Sequence, residues 1–401
     1  MKILVVNCGS SSLKYQLIDM DDERLLAKGN FERIGEKESF ITHKVSDKKY
    51  VLNISVSNHE EALKIVLDQL TNEDYGVIKD LSEITAVGHR IVHGGELFSE
   101  SVLVTEEVIE KIVLCADLAP LHNPAAVLGI RACQKAMPGV PMSVVFDTAF
   151  HQTMPKENYL FPIPYEYYEK YRIRRYGAHG TSHRYVSEVC SQMMAVPIQN
   201  LKIVTCHLGQ GASICAVDGG KSIDTSMGLS PLGGIAMVTR SGDLDPSVVT
   251  AIMEKSKLSP NEANDLLNKN SGLYGITGLQ PDFRVIEKAA REDSDPNAKV
   301  AINLFTQTVA QFIAKYAVSL RGIDAIVFTG GIGENQSNIR KMICDDLEWM
   351  GLKIDDNKNN MISSETKISS EDSKIAAFVI PTDEEMVIAR DTKRLVESMN
   401  R

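Results

Sequence analysis

The residues with the clearest chemical potential lie near the start of the chain, in the segment Asn7–Lys14. One glycine and three serines stand there between two stretches typical of β-strands, Ile3–Val6 and Leu13–Ile18. A turn of small hydroxyl side chains and accessible backbone N–H groups can hydrogen-bond the oxygens of a phosphate. The same composition also suits an ordinary hairpin whose serines satisfy its own backbone, so the turn alone leaves both interpretations open.

Four titratable residues stand beside glycines or at the ends of predicted strands: Arg90, Asp147, His179 and Arg240. Each alone has a structural explanation, such as a surface ion pair, a turn cap or a buried histidine. Together they suit phosphoryl transfer, which depends on positioning and on neutralising charge, and arginine can bind phosphate or carboxylate through two hydrogen bonds. Glu384, at the start of the last predicted helix, could hold Mg²⁺ through water.

A second glycine-rich segment, Gly330–Asn335, follows the predicted buried strand Asp324–Thr329 and precedes a helix. We expect a turn here, in a position that many nucleotide sites use. Its spacing differs from G-x-G-x-x-G and from the Walker A motif G-x-x-x-x-G-K-[ST], and the rest of the sequence has no Walker A motif either. The sequence therefore disfavours a P-loop kinase.

The elements that must position these residues alternate between strands and helices. Met142–Phe146 is predicted to be a buried strand with Asp147 at its carboxyl end, and Asn58–Leu70 an amphipathic helix. Capping boxes at Ser259–Glu262 and Thr382–Glu385 predict two further helix starts. Strands separated by helices predict a substantially parallel α/β sheet, in which ligands collect at the carboxyl ends of the strands.

The opening strand and turn recur in the middle of the chain. Lys202–Gly209 is similar to Lys2–Gly9, and both segments lead through a small polar turn into another strand. Such a repeat predicts a duplicated domain in which each copy presents a turn to a shared cleft. One short match could arise by chance, so it supports this prediction only together with other features.

Composition excludes several classes of function. The chain has 401 residues, a formal net charge of −10, 43% hydrophobic and 24% charged residues, which is enough for two domains with buried cores. The negative charge argues against nucleic acid or an anionic membrane as a partner, and no apolar run is long enough for a membrane span. Seven cysteines without C-x-x-C spacing predict buried, reduced thiols. Because no signal peptide precedes the first strand, we expect a cytoplasmic protein.

Six longer motifs connect these features to a known family. They are Asn7–Lys14, Gly88–Gly95, Ala119–Pro124, Phe146–Met154, Thr239–Asp243 and Gly331–Asn335. In these motifs, and along essentially its whole length, the sequence resembles the acetate kinase (acetokinase) family of short-chain acyl kinases. The resemblance implies the actin-like ATPase fold, an α/β fold of two duplicated ribonuclease-H-like domains that face a central cleft. It implies an N-terminal domain at residues 1–150 plus 385–401, and a C-terminal nucleotide-binding and dimerisation domain at 151–384.

The resemblance also implies a reaction and the residues that perform it. A homodimer would transfer the γ-phosphoryl group of ATP reversibly to acetate, giving acetyl phosphate and ADP, with Mg²⁺ as the metal, for which Mn²⁺ could substitute. Asn7 and Glu384 would organise the metal. Arg90 would hold the acyl carboxylate with Asp147 as the catalytic carboxylate beside it, and His179 and Arg240 would stabilise the transferring phosphoryl group.

Two further sets of contacts follow from the same resemblance. The phosphates and the nucleotide would be bound by Ser10, Ser12, Lys14, His207, Leu208, Gly209, Gln210, Gly211, Asp282, Phe283, Arg284, Gly331, Ile332, Gly333, Glu334 and Asn335. The acyl pocket would be lined by Arg90, Val92, Leu121, Ala178 and Pro231. Because Gly331 and Ile332 keep the small pattern of the ATP-dependent members, ATP is favoured over pyrophosphate.

The sequence departs from the family pattern at four positions of the expected cleft. Ala178 replaces the usual aromatic of the acyl pocket, Gln210 an asparagine, Gly233 a glutamate and Val238 a glycine. Loss of an aromatic ring opens space for several methylene groups, each worth about 0.8 kcal/mol on burial. The pocket could therefore accept propionate, butyrate or another short acid, unless a neighbour such as Val238 fills the gap and acetate stays preferred. A non-catalytic, actin-like nucleotide-binding scaffold is a more distant alternative.

Overall fold

The computed structural model of this protein describes residues 1–361 and 364–399. The chain divides into two compact units, one formed by Met1–Gln152 with Asp383–Arg401 and the other by Thr153–Thr382. These divisions lie close to the domain limits that the family resemblance implies.

The first unit is built on an eight-stranded sheet of order β5-β4-β3-β2-β1-β6-β8-β7. Its strands are β1 (Lys2–Cys8), β2 (Ser12–Asp19), β3 (Arg24–Glu32), β4 (Phe40–Val45), β5 (Lys48–Asn53), β6 (Ile84–Ile91), β7 (Val102–Leu103) and β8 (Met142–Phe146). Only the β1–β6 and β6–β8 pairs are parallel. The prediction of a substantially parallel sheet is therefore wrong, because the strands from β1 to β5 follow one another through short turns, which join antiparallel neighbours.

The second unit is built on a six-stranded sheet of order β11-β10-β9-β12-β14-β13. Its strands are β9 (Lys202–Leu208), β10 (Ala212–Asp218), β11 (Lys221–Thr225), β12 (Ala325–Thr329), β13 (Thr366–Lys367) and β14 (Ala376–Val379). The order and the strand directions repeat those of β3-β2-β1-β6-β8-β7, and β9 has the same burial pattern as β1, with four consecutive buried residues after the first. The predicted duplication of the domain is thus confirmed.

The helices flank these sheets. They are α1 (His59–Leu70), α2 (Glu106–Leu114), α3 (Asn123–Ala136), α4 (Lys156–Tyr159), α5 (Glu166–Tyr171), α6 (Gly180–Met194), α7 (Pro246–Ser256), α8 (Pro260–Lys269), α9 (Gly272–Thr277), α10 (Phe283–Arg291), α11 (Pro296–Leu320), α12 (Gly330–Asn335), α13 (Ser337–Asp345), α14 (Asp356–Asn360) and α15 (Glu384–Met399). Short 3₁₀ turns occupy Leu81–Glu83, Ala116–Leu118, Ala149–Thr153, Ile198–Asn200 and Glu348–Met350.

The two faces of the first sheet pack against different helices. On one face, alternate residues of β1 and β2 such as Leu4, Val6 and Leu13 share a core with α1 and α3. On the other face, Ile3, Val5, Ala86 and Val145 pack against Ile388 and its neighbours on α15. A Cβ atom at Gly88 would lie 2.6 Å from Ile388 Cγ2, so glycine allows α15 to lie this close to β6.

Helix starts follow the predictions in part. Ser259 and Glu262 form the predicted capping box of α8. The capping box predicted at Thr382 is wrong: Asp383 accepts from the backbone N–H of Met386 at 2.9 Å, and Thr382 Oγ1 is buried without a hydrogen bond to any described residue. Aspartate one position later is an equally strong cap, so α15 begins one residue further along.

The glycine-rich segment after β12 also differs from the expectation. Gly330–Asn335 forms α12 rather than a turn. Gly330 makes the transition from strand to helix with a φ of +77°, and a Cβ atom there would lie 2.8 Å from the carbonyl oxygen of Leu208. Only glycine suits this position, because the left-handed backbone and the close approach both exclude a side chain.

Two predictions about the whole chain can be compared with the structure. All seven cysteines are free and buried, as predicted. Burial raises the pKa of the Cys8, Cys190 and Cys344 thiols to about 12, which keeps these thiols protonated. Within residues 1–361 and 364–399, no helix is both long enough and apolar enough to cross a bilayer.

Candidate active site

Polar residues continue one face of the first sheet beyond the point where its apolar residues end. Asn7 follows Ile3 and Val5 on β1, Arg90 follows Ala86 and Gly88 on β6, and Asp147 follows Val145 of β8. Residues two apart on a strand share a face, and parallel strands end at the same edge of the sheet. Asn7, Arg90 and Asp147 therefore lie on the face that α15 covers, where that helix begins at Glu384.

Arg90 is held between two carboxylates. Its Nε donates to Asp147 Oδ1 at 2.9 Å and its Nη2 donates to Asp147 Oδ2 at 2.6 Å, while Nη2 lies 3.5 Å from Glu384 Oε2. The backbone N–H of Asp147 donates to the carbonyl of Ile91, which fixes the carboxylate at the edge of the sheet. The Nη1 atom of Arg90 has no hydrogen bond to any residue that the structure describes, so the guanidinium can still donate to a ligand.

The electrostatics of this pair favour a permanently charged arginine. Asp147, and to a lesser degree Glu384, raise the pKa of Arg90 above its ordinary value. Burial raises the pKa of Asp147, and the guanidinium of Arg90 opposes that rise. A buried charge is costly unless an opposite charge lies beside it, so Arg90 and Asp147 stabilise each other's ionised form. We expect Asp147 to orient Arg90 and to keep it charged.

The first turn stands beside this cluster along β1. Asn7 and Lys14 are directly paired across the β1–β2 hairpin, so their side chains lie on the same face. The turn is closed by its own backbone, because Gly9 N–H donates to the carbonyl of Ser12 at 2.9 Å. The Ser10 side chain is exposed and that of Ser12 is half-buried, which leaves hydroxyl groups available to an anion. The structure is thus compatible with both interpretations of the turn.

The polar side chains at this edge of the first sheet fit a hydrated Mg²⁺. Asn7 supplies an amide oxygen and Glu384 a carboxylate whose contact with Arg90 is long, whereas the Asp147 oxygens are already bound by the guanidinium. Mg²⁺ keeps several waters and needs one or two carboxylates together with substrate phosphates. Among the described residues no group of three or more histidine, cysteine, aspartate or glutamate side chains could hold a metal. These residues therefore provide no site in which protein side chains alone would surround the ion.

A chain of histidines and hydroxyl groups occupies the same edge of the second sheet. Ser213 Oγ lies 2.9 Å from His179 Nδ1 and 2.8 Å from His183 Nε2, and His183 Nδ1 lies 2.7 Å from Thr205 Oγ1. The His207 ring stacks on that of His179 with the ring centroids 4.1 Å apart. Contacts on both sides of His179 fix its ring, and the hydroxyl of Ser213 couples its tautomer to that of His183.

His179 also has an unusual backbone. It precedes α6 with a φ of +56°, a left-handed conformation that is uncommon for a residue other than glycine. Such strain persists only where the surroundings enforce it, and it concentrates at functional sites. The backbone therefore marks His179 as a functional candidate independently of its side-chain contacts.

The second turn, Gly209–Gly211, brings Arg240 close to His179. A Cβ atom at Gly211 would lie 3.1 Å from Arg240 Nη1 and 3.8 Å from His179 Nε2. Arg240 Nη1 donates only to the carbonyl of Pro231 at 3.4 Å and to Met237 Sδ at 3.8 Å, and no described carboxylate pairs with it. Burial lowers the pKa of Arg240, because nothing close by neutralises its charge. An unpaired, partly buried cation beside a histidine suits an anionic ligand.

Three segments that lie far apart in the sequence line one cavity of about 420 Å³ in the second unit. The lining residues are Gly209, Gln210, Asp282, Phe283, Arg284, Gly331, Ile332, Asn335 and Gln336. A Cβ atom at Gly331 would meet nothing within 4 Å, so this glycine keeps the cavity open. Asp282 caps α10 and binds Arg284 Nη2 at 2.6 Å, which fixes the rim of the cavity. Its size and its chemically mixed lining suit a small ligand.

Some predicted nucleotide contacts have structural tasks instead of lining this cavity. The Leu208 side chain is buried in the core of the second unit. Glu334 Oε1 accepts from the backbone N–H of Gly330 at 2.9 Å and so closes the start of α12. Gly333 lies against the backbone of Phe328. The fully buried Arg340 holds the end of α12 through the carbonyls of Gly333 and Glu334.

The residues predicted for the acyl pocket come from both units. In the first unit, Val92 is half-buried one residue after β6, whereas Leu121 is 70% exposed. In the second unit, Ala178 and Val238 belong to the same buried hydrophobic cluster, and the carbonyl of Pro231 accepts from Arg240. The burial of Val238 is compatible with the alternative in which it fills the space that an aromatic at position 178 would take.

Sequence reasoning missed several residues of the histidine chain and one residue of the cavity. Ser213, His183 and Thr205 were not candidates, and neither was Gln336. Ser213 could have been found, because it is paired with His207 across the second hairpin as Lys14 is with Asn7 across the first. The others depend on contacts between separate elements, which no local sequence pattern encodes.

Comparisons with known proteins give a consistent family. Residues 2–390 match the Acetokinase family. The acetate kinase of Thermoanaerobacterium thermosaccharolyticum is 56% identical over 399 residues, covering 100% of both chains.

Solved structures agree with this match. The crystal structure of Porphyromonas gingivalis acetate kinase is similar with a TM-score of 0.96 and 44% identity, covering 98% of this chain and 99% of that one. A propionate kinase from Francisella tularensis is similar with a TM-score of 0.91 and 46% identity, over 98% of this chain and 99% of that one. The chain belongs to the acetokinase family, and it is a kinase whose phosphoryl acceptor is a carboxyl group.

Proposed function

We propose that this protein transfers the γ-phosphoryl group of ATP reversibly to acetate, giving acetyl phosphate and ADP. The observation that carries the proposal is the cavity in the second unit, because three separate predicted nucleotide segments line it. The adjoining Gly211 lies within 4 Å of both Arg240 and His179, measured from a Cβ atom built on it. The phosphates of a nucleotide in this cavity would lie at the edge of the second sheet where helices begin and where Arg240 supplies a positive charge.

Arg90 is proposed to hold the carboxylate of acetate. Its Nε–Nη2 edge is taken by Asp147, so the acid would bind to the remaining Nη1 side. Asp147 would keep the guanidinium in a fixed plane, which reduces the entropy lost when the acid binds. One carboxylate oxygen of acetate would then attack the γ-phosphorus while ADP leaves.

His179 and Arg240 are proposed to stabilise the phosphoryl group during transfer. Charge spreads over its equatorial oxygens in the transition state, so donors that are already fixed in place lower the barrier. Ser213 and the stacked His207 ring fix His179, and burial without a counter-ion leaves the charge of Arg240 available. Ser10, Ser12 and Lys14 of the first turn would contact the phosphates of the nucleotide.

Asn7 and Glu384 are proposed to hold Mg²⁺, for which Mn²⁺ could substitute. When bound, the metal would neutralise phosphate charge and orient the phosphate chain. Asn7 contributes a neutral oxygen ligand, and Glu384 contributes negative charge while remaining within 3.5 Å of Arg90.

A propionate or butyrate kinase is the second candidate function. The small Ala178 favours it, as does the similarity to a propionate kinase at 46% identity. Val238 argues for acetate, since it is buried in the same cluster as Ala178. We place acetate first because the curated relatives at 56% identity are acetate kinases.

The choice of acid is tested by trapping acyl phosphates with hydroxylamine across formate, acetate, propionate and butyrate, with ATP and separately with pyrophosphate. We expect turnover with ATP and the highest kcat/KM for acetate. Replacing Ala178 by phenylalanine should lower kcat/KM for propionate and butyrate more than for acetate. Ala298→Val, at another buried alanine of the same cluster, controls for general repacking. A higher kcat/KM for propionate in the parent would favour the second function.

We further propose that the protein is a cytoplasmic homodimer that associates through its second unit. The family resemblance supports the dimer, and seven buried free thiols suit a reducing compartment. Light scattering combined with size-exclusion chromatography should give twice the chain mass, and a monomer at micromolar concentration would contradict the dimer.

A further inference from the structure

Three lysines stand side by side on the first sheet. Lys28 on β3 is paired with Lys44 on β4, and Lys44 is paired with Lys49 on β5, each directly across an antiparallel ladder. We call Lys28, Lys44 and Lys49 the lysine row. All three side chains are exposed. Like charges directly opposite each other repel, so this arrangement is unfavourable without a counter-ion.

A second row lies beside the first on the same face. Lys14 on β2 is paired with Asn30 on β3, and Asn30 with Thr42 on β4. On β3, Asn30 lies two positions from Lys28, and on β4, Thr42 lies two positions from Lys44. Residues two apart on a strand point to the same side of the sheet, so both rows share one face. Together the two rows line a cavity of about 370 Å³ that also includes Glu32 and Glu385.

The cations of this cavity are unpaired. Lys14, Lys28, Lys44 and Lys49 form no ion pair with any residue in the ranges 1–361 and 364–399. Of the two carboxylates, Glu32 accepts from Asn30 Nδ2 at 2.8 Å and does not reach a lysine. The whole chain carries a net charge of −10, so a cavity with twice as many lysines as carboxylates differs sharply from the average surface.

We propose that this cavity binds a free oligophosphate, a linear anion with negative charge on each phosphate. Successive lysines of the row lie on neighbouring strands, which are about 4.8 Å apart, so their charges form a line rather than a cluster. A linear oligophosphate matches such a line, whereas a compact tricarboxylate concentrates its charge around one carbon. Lys14 extends the cationic surface from the row toward the first turn.

Binding of an oligophosphate at the lysine row is independent of the proposed reaction. Lys14, which also lines this cavity, is one of the predicted phosphate contacts, but none of the lysine row belongs to the predicted catalytic or nucleotide-binding residues, and the nucleotide cavity lies in the other unit. Binding can therefore be measured without turnover, and it can be present or absent whether or not the protein phosphorylates acetate.

The test is calorimetric titration of the full chain with sodium tripolyphosphate at low ionic strength. The test variant is Lys28→Gln with Lys44→Gln, which leaves Lys14 intact. The matched control is Lys48→Gln with Lys64→Gln: Lys48 is adjacent to Lys49 on β5 but faces the other side, and Lys64 is exposed on α1. Both doubles remove two positive charges. We expect at least tenfold weaker binding in the test variant, a change of less than twofold in the control, and weaker binding as salt rises.

Two further titrations separate the possible outcomes. ADP should bind the parent and the test variant with the same affinity; a matching loss of ADP affinity would place the lysine row in the nucleotide site and overturn a separate site. Citrate at equal ionic strength should bind more weakly than tripolyphosphate, and equal binding would overturn the choice of oligophosphate. Equal tripolyphosphate affinity in the parent and test variant, or an equal loss in the control, would overturn the proposal. The single variant Lys44→Gln provides the same comparison if the double variant unfolds.

Discussion

Arg90 and Arg240 are the two arginines proposed to contact the reacting groups, yet their surroundings differ. Arg90 is held by two hydrogen bonds to Asp147 and lies near Glu384, whereas no described carboxylate pairs with Arg240. A paired arginine keeps its charge and its direction. An unpaired, half-buried arginine is costly for the folded protein, and an anionic ligand would remove that cost. At the scale of residues, the two arginines therefore suit different tasks.

Replacing Arg240 by alanine tests its proposed role. Loss of one fixed transition-state donor should lower kcat by about 10²–10³-fold. Arg291→Ala, at an exposed arginine of the same unit, is the control and should stay within twofold of the parent. Steady-state kinetics with ATP and acetate measure both variants, and Arg240→Ala activity within twofold of the parent would contradict the role.

Ser213 is predicted to position His179 without touching the substrate. Ser213→Ala removes the hydroxyl between His179 Nδ1 and His183 Nε2, so the imidazole would lose a defined tautomer. We expect kcat to fall about tenfold, a smaller effect than direct removal of a catalytic acid or base. We also expect a shifted pH profile of kcat, with KM for ATP unchanged.

A purely structural role for Ser213 would give a different pattern. Ser213→Thr keeps the hydroxyl and should restore most of kcat and the parent pH profile. If the alanine variant lost activity only in proportion to its folded fraction, with the same pH profile, Ser213 would not position His179.

At the scale of elements, glycines at neighbouring positions perform separate tasks. Gly330 allows β12 to turn directly into α12, whereas Gly331 leaves the adjacent cavity open. This difference follows from backbone geometry. Gly330 has a positive φ and no space for a Cβ atom, and Gly331 has an ordinary helical position facing free volume.

Gly331→Gln should therefore affect the ligand and not the fold. The side chain would project into the cavity of about 420 Å³, and we expect KM for ATP to rise roughly tenfold or more, as a steric clash removes about 1.4 kcal/mol or more of binding energy. The melting temperature should stay within about 2 °C of the parent value, since a helical residue replaces glycine without a clash.

Gly330→Ala is the contrasting control. A clash with the Leu208 backbone and the left-handed φ should lower the melting temperature by several degrees. Equal effects of both substitutions on stability, or an unchanged KM in Gly331→Gln, would contradict the division of tasks between the two glycines.

Much of this element-level organisation was accessible from sequence, and some was not. Local signals such as the Ser259 capping box and the buried strand before Asp147 predicted the elements that formed. Strand direction could not be predicted in the same way, because hydrophobic patterns show that a strand is buried but not which neighbour it pairs with. The convergence of Gly209, Asp282 and Gly331 on one cavity depends on tertiary packing, and only the family resemblance anticipated it.

At the scale of the whole molecule, buried histidines should make stability depend on pH. His43 and His89 lie in the first unit, and burial lowers the pKa of His43 to about 4 and that of His89 to about 3. In the unfolded chain a histidine has a pKa of about 6.5. The unfolded state therefore binds more protons between about pH 6.5 and pH 4, so the free energy of unfolding falls as the pH falls through this range.

Replacing His89 by leucine should reduce this pH dependence. From pH 7 to pH 5 each such histidine costs about 2 kcal/mol of stability, so His89→Leu should lose about 2 kcal/mol less than the parent over that range. Urea unfolding followed by circular dichroism measures the difference. His122→Leu, at an exposed histidine, is the control. Identical losses in the parent and His89→Leu would contradict the burial of a neutral imidazole.

The proposed reaction transfers the γ-phosphoryl group of ATP to the carboxylate of acetate. Phosphorus NMR of purified protein with ATP, Mg²⁺ and acetate tests it most directly, because acetyl phosphate, ADP and free phosphate give separate signals. We expect acetyl phosphate and ADP in equal amounts, and regeneration of ATP when acetyl phosphate and ADP are supplied instead. ADP formed with free phosphate alone, or no acyl phosphate from any short-chain acid, would contradict it.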